Sequence, residues 1–275
     1  VVPALLTCAV LPLGSEIDLR FLNPIMTSIF GGSGFPQPVK LVIADLSVGP
    51  LFTFAIASIG VYGIVLAGWA SNSKYPFLGG VRSSAQMISY EISLGLSIIP
   101  VFMLLGELNP GKMAAYQDAN GWLLLPFWGE GLSFQRWVLL IPIVISFCVF
   151  TVSMFAETNR LPFDLAECET ELVAGYHTEY SSMKFALFFM GEYAAMIIGS
   201  GMAVTLFLGG WSIPFAPYLG LAYEAGNTPW WLGLLHIGTF FAKVFLFILF
   251  FIAIRWTLPR FRFDQLMALG WKVFF

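Results

Sequence analysis

The residues of this chain best suited to chemistry are its carboxylates. Six of them, Glu157, Asp164, Glu167, Glu169, Glu171 and Glu179, fall within residues 156–180, AETNRLPFDLAECETELVAGYHTEY, between two long apolar runs. Three further ionisable side chains lie inside apolar runs: Glu91 in MISYEISLGLS, Glu192 in FFMGEYAAM and Lys243 in FFAKVFLFILFF. Carboxylates in such surroundings suit proton movement, because burial and like-charge neighbours both favour the neutral form of an acid. A nearby ammonium acts the other way and can set which carboxylate holds the proton. The bland alternatives are a solvated acidic loop and a buried ion pair that only fixes packing.

The elements that must position these groups are membrane helices. The chain has 275 residues, a mean hydropathy of +0.83 and only 11% charged residues, where a soluble domain carries roughly a quarter. Hydrocarbon offers the backbone no hydrogen-bond partners, so spans are helices or closed barrels. The apolar runs here are continuous, not alternating, and five reach the length of a span: 48–69, 87–106, 137–156, 183–209 and 233–254. The fold expected is an all-α polytopic transmembrane helix bundle, one membrane domain over 1–275 with an acidic loop at 156–182. Residues 1–13 and 267–275 are apolar but short, and are expected to belong to longer helices, giving at least seven spans. The connections 14–47 and 108–135, rich in Gly, Pro or Trp, are expected to be coil with short helical pieces.

Charge asymmetry orients the bundle. Lys74, Arg82, Arg160, Lys184, Arg255, Arg260, Arg262 and Lys272 fall at one end, and Arg20, Lys40, Lys112 and Arg136 at the other. Eight against four puts the first end, with the acidic loop, in the cytoplasm or its organellar equivalent. Glu192 lies nine residues into its run and Lys243 twelve residues before Arg255, roughly 13 and 18 Å from that end. A lone lysine facing lipid costs several kcal/mol, so Lys243 is expected to face inward and meet Glu192. Glu91 and Glu157 would then complete a carboxylate row from loop to membrane interior.

The three cysteines have no C-x-x-C spacing, which argues against an iron–sulfur or zinc site. His177 and His236 do not make an axial pair for a haem. The chain is expected to bind no metal and to carry no redox cofactor of its own.

The segment AETNRLPFDLAECETELVAGYHTEYSSMKFALFFMGEY, with GVYGIVLAGWASNSKYPFLGGVRSSAQMISYE and RWTLPRFRFDQLMALGWK, resembles the quinone-site membrane subunit of respiratory complex I, NADH:quinone oxidoreductase, a family with bacterial and mitochondrial members. The likeness runs from Ala44 onward and is closer in wording to bacterial members. It implies an eight-helix subunit of a proton-translocating enzyme that helps form the quinone-reduction chamber and has no self-contained redox site. It also implies quinone as substrate, and iron–sulfur clusters and FMN on partner subunits. The implied partners are the iron–sulfur subunit beside the quinone site, the hydrophilic quinone-site subunit, small membrane subunits and lipid, with no nucleic acid. The implied location is the bacterial cell inner membrane in preference to the mitochondrial one.

Residue by residue, Glu91, Glu157, Glu192 and Lys243 match the family's intramembrane proton path, and Glu167, Glu169, Glu171 and Glu179 its acidic coupling loop. Arg160, Asp164, Arg260, Arg262 and Asp264 match positions on the quinone-chamber wall or docking surface. The family's first helix and the Gly-Pro-Asn-Arg loop after it have no counterpart here, the last helix is incomplete, and the segment 20–40 is longer than usual. Two other readings stand beside this one. One is the membrane subunit of a related proton-pumping hydrogenase or formate hydrogenlyase. The other is a secondary cation/proton transporter, although the chain lacks the paired broken helices many of those carry.

Overall fold

With no solvent to satisfy it, the backbone of an apolar run must close its own hydrogen bonds. The computed structural model, which describes residues 1–20, 23, 38–126, 134–164, 175–223, 226 and 228–274, obeys that rule. Among the described residues, five helical stretches are long and apolar enough to cross a membrane: Gly49–Ala70, Lys74–Leu105, Trp137–Glu157, Ser182–Phe207 and Trp230–Thr257. They coincide with the five expected spans to within a few residues, except that the second starts thirteen residues earlier than expected, at Lys74.

In chain order the described α-helices are α1 (Val2–Cys8), α2 (Gly49–Ala70), α3 (Lys74–Ser97), α4 (Ile99–Leu105), α5 (Pro110–Asn120), α6 (Phe134–Glu157), α7 (Ser182–Phe207), α8 (Ala216–Leu219), α9 (Trp230–Thr257) and α10 (Phe263–Ala268), the last continued by a π-helical turn, Leu269–Phe274. Helices α3 and α4 form one span interrupted at Ile98, just before Pro100. Proline lacks the N–H that would continue the ladder, and the carbonyl of Ser97 at this break accepts from the Ser146 hydroxyl of α6. The connection 108–135 contains the helix α5, as expected. The connection 14–47 differs from expectation: its described part holds two short antiparallel strands, β1 (Glu16–Ile17) and β2 (Val39–Lys40), with Glu16 opposite Lys40.

Helix α3 packs against α2 and α6, and α7 packs against α9. The shared core is built from Tyr90 and Leu94 of α3, Phe150 and Met154 of α6, Met202 and Phe207 of α7 and Phe251 of α9. The outward faces are apolar as well: Tyr62, Met103, Ile141, Leu246 and Trp256 are all exposed, as suits helices whose surroundings are lipid or partner helices. At the end of the bundle that bears the expected cytoplasmic charges, Gly79 of α3 lets a short 3-10 turn, Gly175–His177, approach closely. A Cβ at Gly79 would sit 2.9 Å from the Gly175 Cα and the Tyr176 nitrogen.

The other end of α7 carries the bundle's main irregularity. The last four carbonyls of a helix have no partner within it. Here the Val204 carbonyl accepts from the Leu208 and Gly210 N–H groups, and that of Phe207 from Leu124. The Gln117 amide of α5 donates to Thr205 and Leu206. Gly209 and Gly210, at φ 74° and 54°, then turn the chain back on itself. Side chains on such left-handed residues are strained, and a Cβ on Gly209 would also collide with Trp122.

Candidate functional site

At the basic end, the exit of α6 is shaped by buried amides. Asn159 adopts a left-handed conformation at φ 48° and donates to the Ser83 hydroxyl at 3.0 Å. The Gln86 amide of α3 donates to the carbonyls of Ala156 (2.8 Å) and Phe163 (3.0 Å) and contacts Asn159 Oδ1 at 3.3 Å. This clamp fixes the turn that carries Glu157, Arg160 and Asp164. Further along the chain, Arg260 pairs with Asp164 at 3.5 Å, Phe261 stacks on Phe163, and the Phe261 N–H donates to the Pro162 carbonyl. Arg260 thus links the PRFRFDQ segment to the acidic segment. Arg262 and Asp264 are exposed around the start of α10.

Glu192, on α7, is 11% exposed and pairs with Arg160, whose Nη2 is 3.2 Å from its Oε2. The Tyr176 hydroxyl donates to Glu192 Oε1 at 3.0 Å. The Arg160 guanidinium also lies over the Tyr193 ring, 4.4 Å from its centre, an arrangement that keeps a partly desolvated cation in place. Glu157 and Glu192 line the same largely apolar cavity of about 290 Å³, together with Asn159, Tyr176, Met87, Phe150 and Met202. Glu91 is half-buried on α3, close enough to Glu157 for the two carboxylates to repel and within reach of the Ser58 hydroxyl. Glu179 is exposed. Glu167, Glu169 and Glu171 lie outside the described residues. Among those described, no group of His, Cys, Asp and Glu side chains is placed to hold a metal ion.

Residues 1–275, the whole chain, match the family model described as NADH dehydrogenase. The chain belongs to the NADH dehydrogenase family. Among its relatives in the family, the H subunit of NADH-quinone oxidoreductase from Rickettsia typhi is 48% identical over 268 residues, covering 96% of this chain and 71% of the relative. Its counterpart from Rickettsia prowazekii is 50% identical over 271 residues, with 96% and 71% covered. That of a Wolbachia from Brugia malayi is 45% identical, with 98% and 68% covered.

One expectation for this family member is overturned. Lys243 does not meet Glu192. Its Nζ donates to the carbonyls of Leu208 (2.7 Å), Gly210 (2.9 Å) and Ser212 (2.7 Å) and sits 4.0 Å from the centre of the Trp122 ring. The physical reason is the turn after α7: it presents three carbonyls that no helix satisfies, and an ammonium has three hydrogens to give. The acid whose field reaches Lys243 is Asp118 of α5, 2% exposed, whose Oδ2 accepts from the Tyr223 N–H at 2.8 Å. Burial pushes the Asp118 carboxyl above the ordinary aspartate range.

Sequence reasoning missed Tyr176, Gln86, Asn159 and Asp118. Only Asn159 carries a local sign, an amide just before the Arg160-Leu161-Pro162 turn. The others are ordinary polar residues whose role exists only through long-range contacts. Of the expected row, Glu157 and Glu192 line one cavity and Glu91 lies near Glu157, while Lys243 stands apart from it.

Proposed function

We propose that this chain is the membrane subunit of NADH:quinone oxidoreductase that helps form the quinone-reduction chamber and links it to proton translocation. Family membership over the full chain supports the enzyme. The observation that carries the coupling role is that Glu157 and Glu192 border one apolar cavity, with Glu91 beside Glu157. Proton-carrying groups need this arrangement: acids close enough to influence each other, shielded from lipid, and adjacent to space that water can enter.

In this reading the acidic loop 156–182 and the PRFRFDQ segment form the cytoplasmic surface that docks on the hydrophilic subunits. Arg160, Asp164, Arg260, Arg262 and Asp264 belong to that surface or to the chamber wall. Quinone reduction there changes the local charge. Arg160 is the natural receiver of the change, because it already holds Glu192 on its other side. A shift of Arg160 alters which proton occupancy of Glu192 is favoured, and repulsion between neighbouring acids passes the effect to Glu157 and Glu91. The quinone is substrate. FMN and iron–sulfur clusters reside on partner subunits, and the complex sits in the bacterial inner membrane.

Purification from native membranes tests this reading. The chain should come away with iron–sulfur subunits and NADH:quinone reductase activity that pumps protons into sealed vesicles. Recovery alone or as a homo-oligomer would point to a transporter, and recovery with a nickel-containing partner and no quinone reduction to a hydrogenase.

A further inference from the structure

His177 has no part in the mechanism above, yet its surroundings are those of a functional group. It is 4% exposed, on the 3-10 turn Gly175–His177 that ends the acidic loop. Its Nε2 is buried with no hydrogen-bond partner among the described residues. That nitrogen lies 3.9 Å from Glu192 Oε1, the oxygen to which Tyr176 donates. Phe185, Phe188 and Phe189 of α7 wall the ring in, with ring centres 5.6, 5.2 and 5.5 Å away. Nearly all buried polar side-chain atoms in folded proteins find a partner, and a buried exception calls for a reason.

We propose that His177 is a proton-relay residue between the acidic loop and Glu192. This rests on the reading of Glu192 as a proton carrier. The step is simple and balanced. The Nε2 lone pair takes the proton of the Glu192 carboxyl as the O–H bond breaks, leaving a carboxylate and an imidazolium, and the reverse step restores both. A movement of less than about 1 Å brings 3.9 Å into hydrogen-bond range. The aromatic wall restricts competing donors, so the nitrogen stays available for Glu192. On the other side the chain leaves the buried turn at once, Thr178 and Glu179 both being exposed, so the relay exchanges its proton with water there.

Burial holds the His177 imidazole down at about 4, against an ordinary 6.5. At neutral pH the ring therefore keeps its lone pair free, and the imidazolium is a short-lived state that returns its proton. The charged and titratable groups that face this site are Glu192 and Tyr193 of α7, Arg160 of the α6 exit and Tyr176 of the turn itself. Helix α3 presents Gly79 to the turn, and α2 presents the Ala67 carbonyl to the nearby Tyr180 hydroxyl.

The test uses the assembled complex in sealed membrane vesicles. His177→Phe keeps the ring's size and removes the basic nitrogen, and His177→Gln keeps a polar side chain without a basic lone pair. Both should assemble and oxidise NADH with a water-soluble electron acceptor at the normal rate. Quinone-linked proton pumping should fall roughly tenfold or more, and the acid limb of its pH profile should move. Glu192→Gln is measured alongside. Wild-type pumping and pH profile in the His177 variants, with Glu192→Gln impaired, overturns the relay alone. Unimpaired Glu192→Gln overturns the underlying reading and the relay with it. Loss of assembly in both His177 variants overturns the relay in favour of a packing role.

Discussion

Arg160 and Glu192 form a partly buried ion pair, 3.2 Å between Nη2 and Oε2, with side chains 16% and 11% exposed. Arg160 lies just past the end of α6 and Glu192 in the first half of α7, so the pair ties these two helices together. Removing one partner of a buried pair is costly because the other is left uncompensated, on the order of 3 kcal/mol. Arg160→Met should therefore lower both thermal stability and quinone-linked activity. The double variant Arg160→Met/Glu192→Gln should recover much of the stability and none of the coupling. Thermal melting of the purified complex and proton pumping in vesicles separate the two effects.

Gln86 makes a different kind of prediction, since it carries no charge. Its amide is 1% exposed and serves the carbonyls of Ala156 and Phe163 on either side of the turn that holds Arg160. Gln86→Leu takes the side-chain donor from the Phe163 carbonyl and leaves the Ala156 carbonyl only the long 3.4 Å bond from the Asn159 N–H, at roughly 1–3 kcal/mol. Assembly should survive, while quinone-linked activity drops because Glu157 and Arg160 lose their fixed positions. An unchanged rate would mean that the turn is held by other contacts.

The pH dependence of stability should carry the mark of His177. Its folded value of about 4 lies below the ordinary 6.5, so between these limits the unfolded chain binds more protons than the folded one. The sign is therefore destabilising on acidification: the full contribution is present above about pH 6.5 and is lost as pH falls toward 4, at up to roughly 1.4 kcal/mol per unit. Melting temperatures measured between pH 4.5 and 7.5 should fall on the acid side, and less steeply in His177→Phe.

Glu167 and Glu171, in the acidic loop, should act at the docking surface. Replacing both with Gln should reduce quinone-linked proton pumping severalfold without affecting insertion of the chain into the membrane. Fractionation of membranes together with vesicle assays would check this. Full activity in the double variant would leave the loop as a solvated connection.

How much of this was legible follows from the kind of information each feature needs. The spans were legible because length and apolarity are local properties, and Trp137–Glu157 could be read almost to the residue. The pairing of Arg260 with an acid was within reach of the sequence because the PRFRFDQ segment and the acidic segment fall at the same end of the bundle. The partner of Lys243 was not. Equal depth on two helices says nothing about which way each side chain faces, and Glu192 faces Arg160 and Tyr176. The sequence did hold a sign of the true arrangement in Gly209-Gly210 after the apolar run, a turn that frees carbonyls. Asp118 was hidden because its stretch, YQDANGW, reads as an ordinary polar connection, although α5 buries it against the end of α7.

That arrangement changes what replacing Lys243 should do. If the lysine were the inner end of the carboxylate row, Lys243→Met would impair coupling and spare assembly. In the structure the same change leaves the carbonyls of Leu208, Gly210 and Ser212 without their donor, and leaves the buried Asp118 without the cation whose field reaches it. Each unpaired buried acceptor costs roughly 1–3 kcal/mol, so lowered thermal stability and poor assembly should come first. Asp118→Asn added to Lys243→Met should restore part of that loss, because it removes the stranded carboxyl but not the open carbonyls. Lys243→Arg should not substitute, since a planar fork cannot point its hydrogens into a three-carbonyl cup as an ammonium does. Melting of the three variant complexes decides the matter: a fully assembled, normally stable Lys243→Met complex that fails only in proton pumping would return the lysine to the proton path.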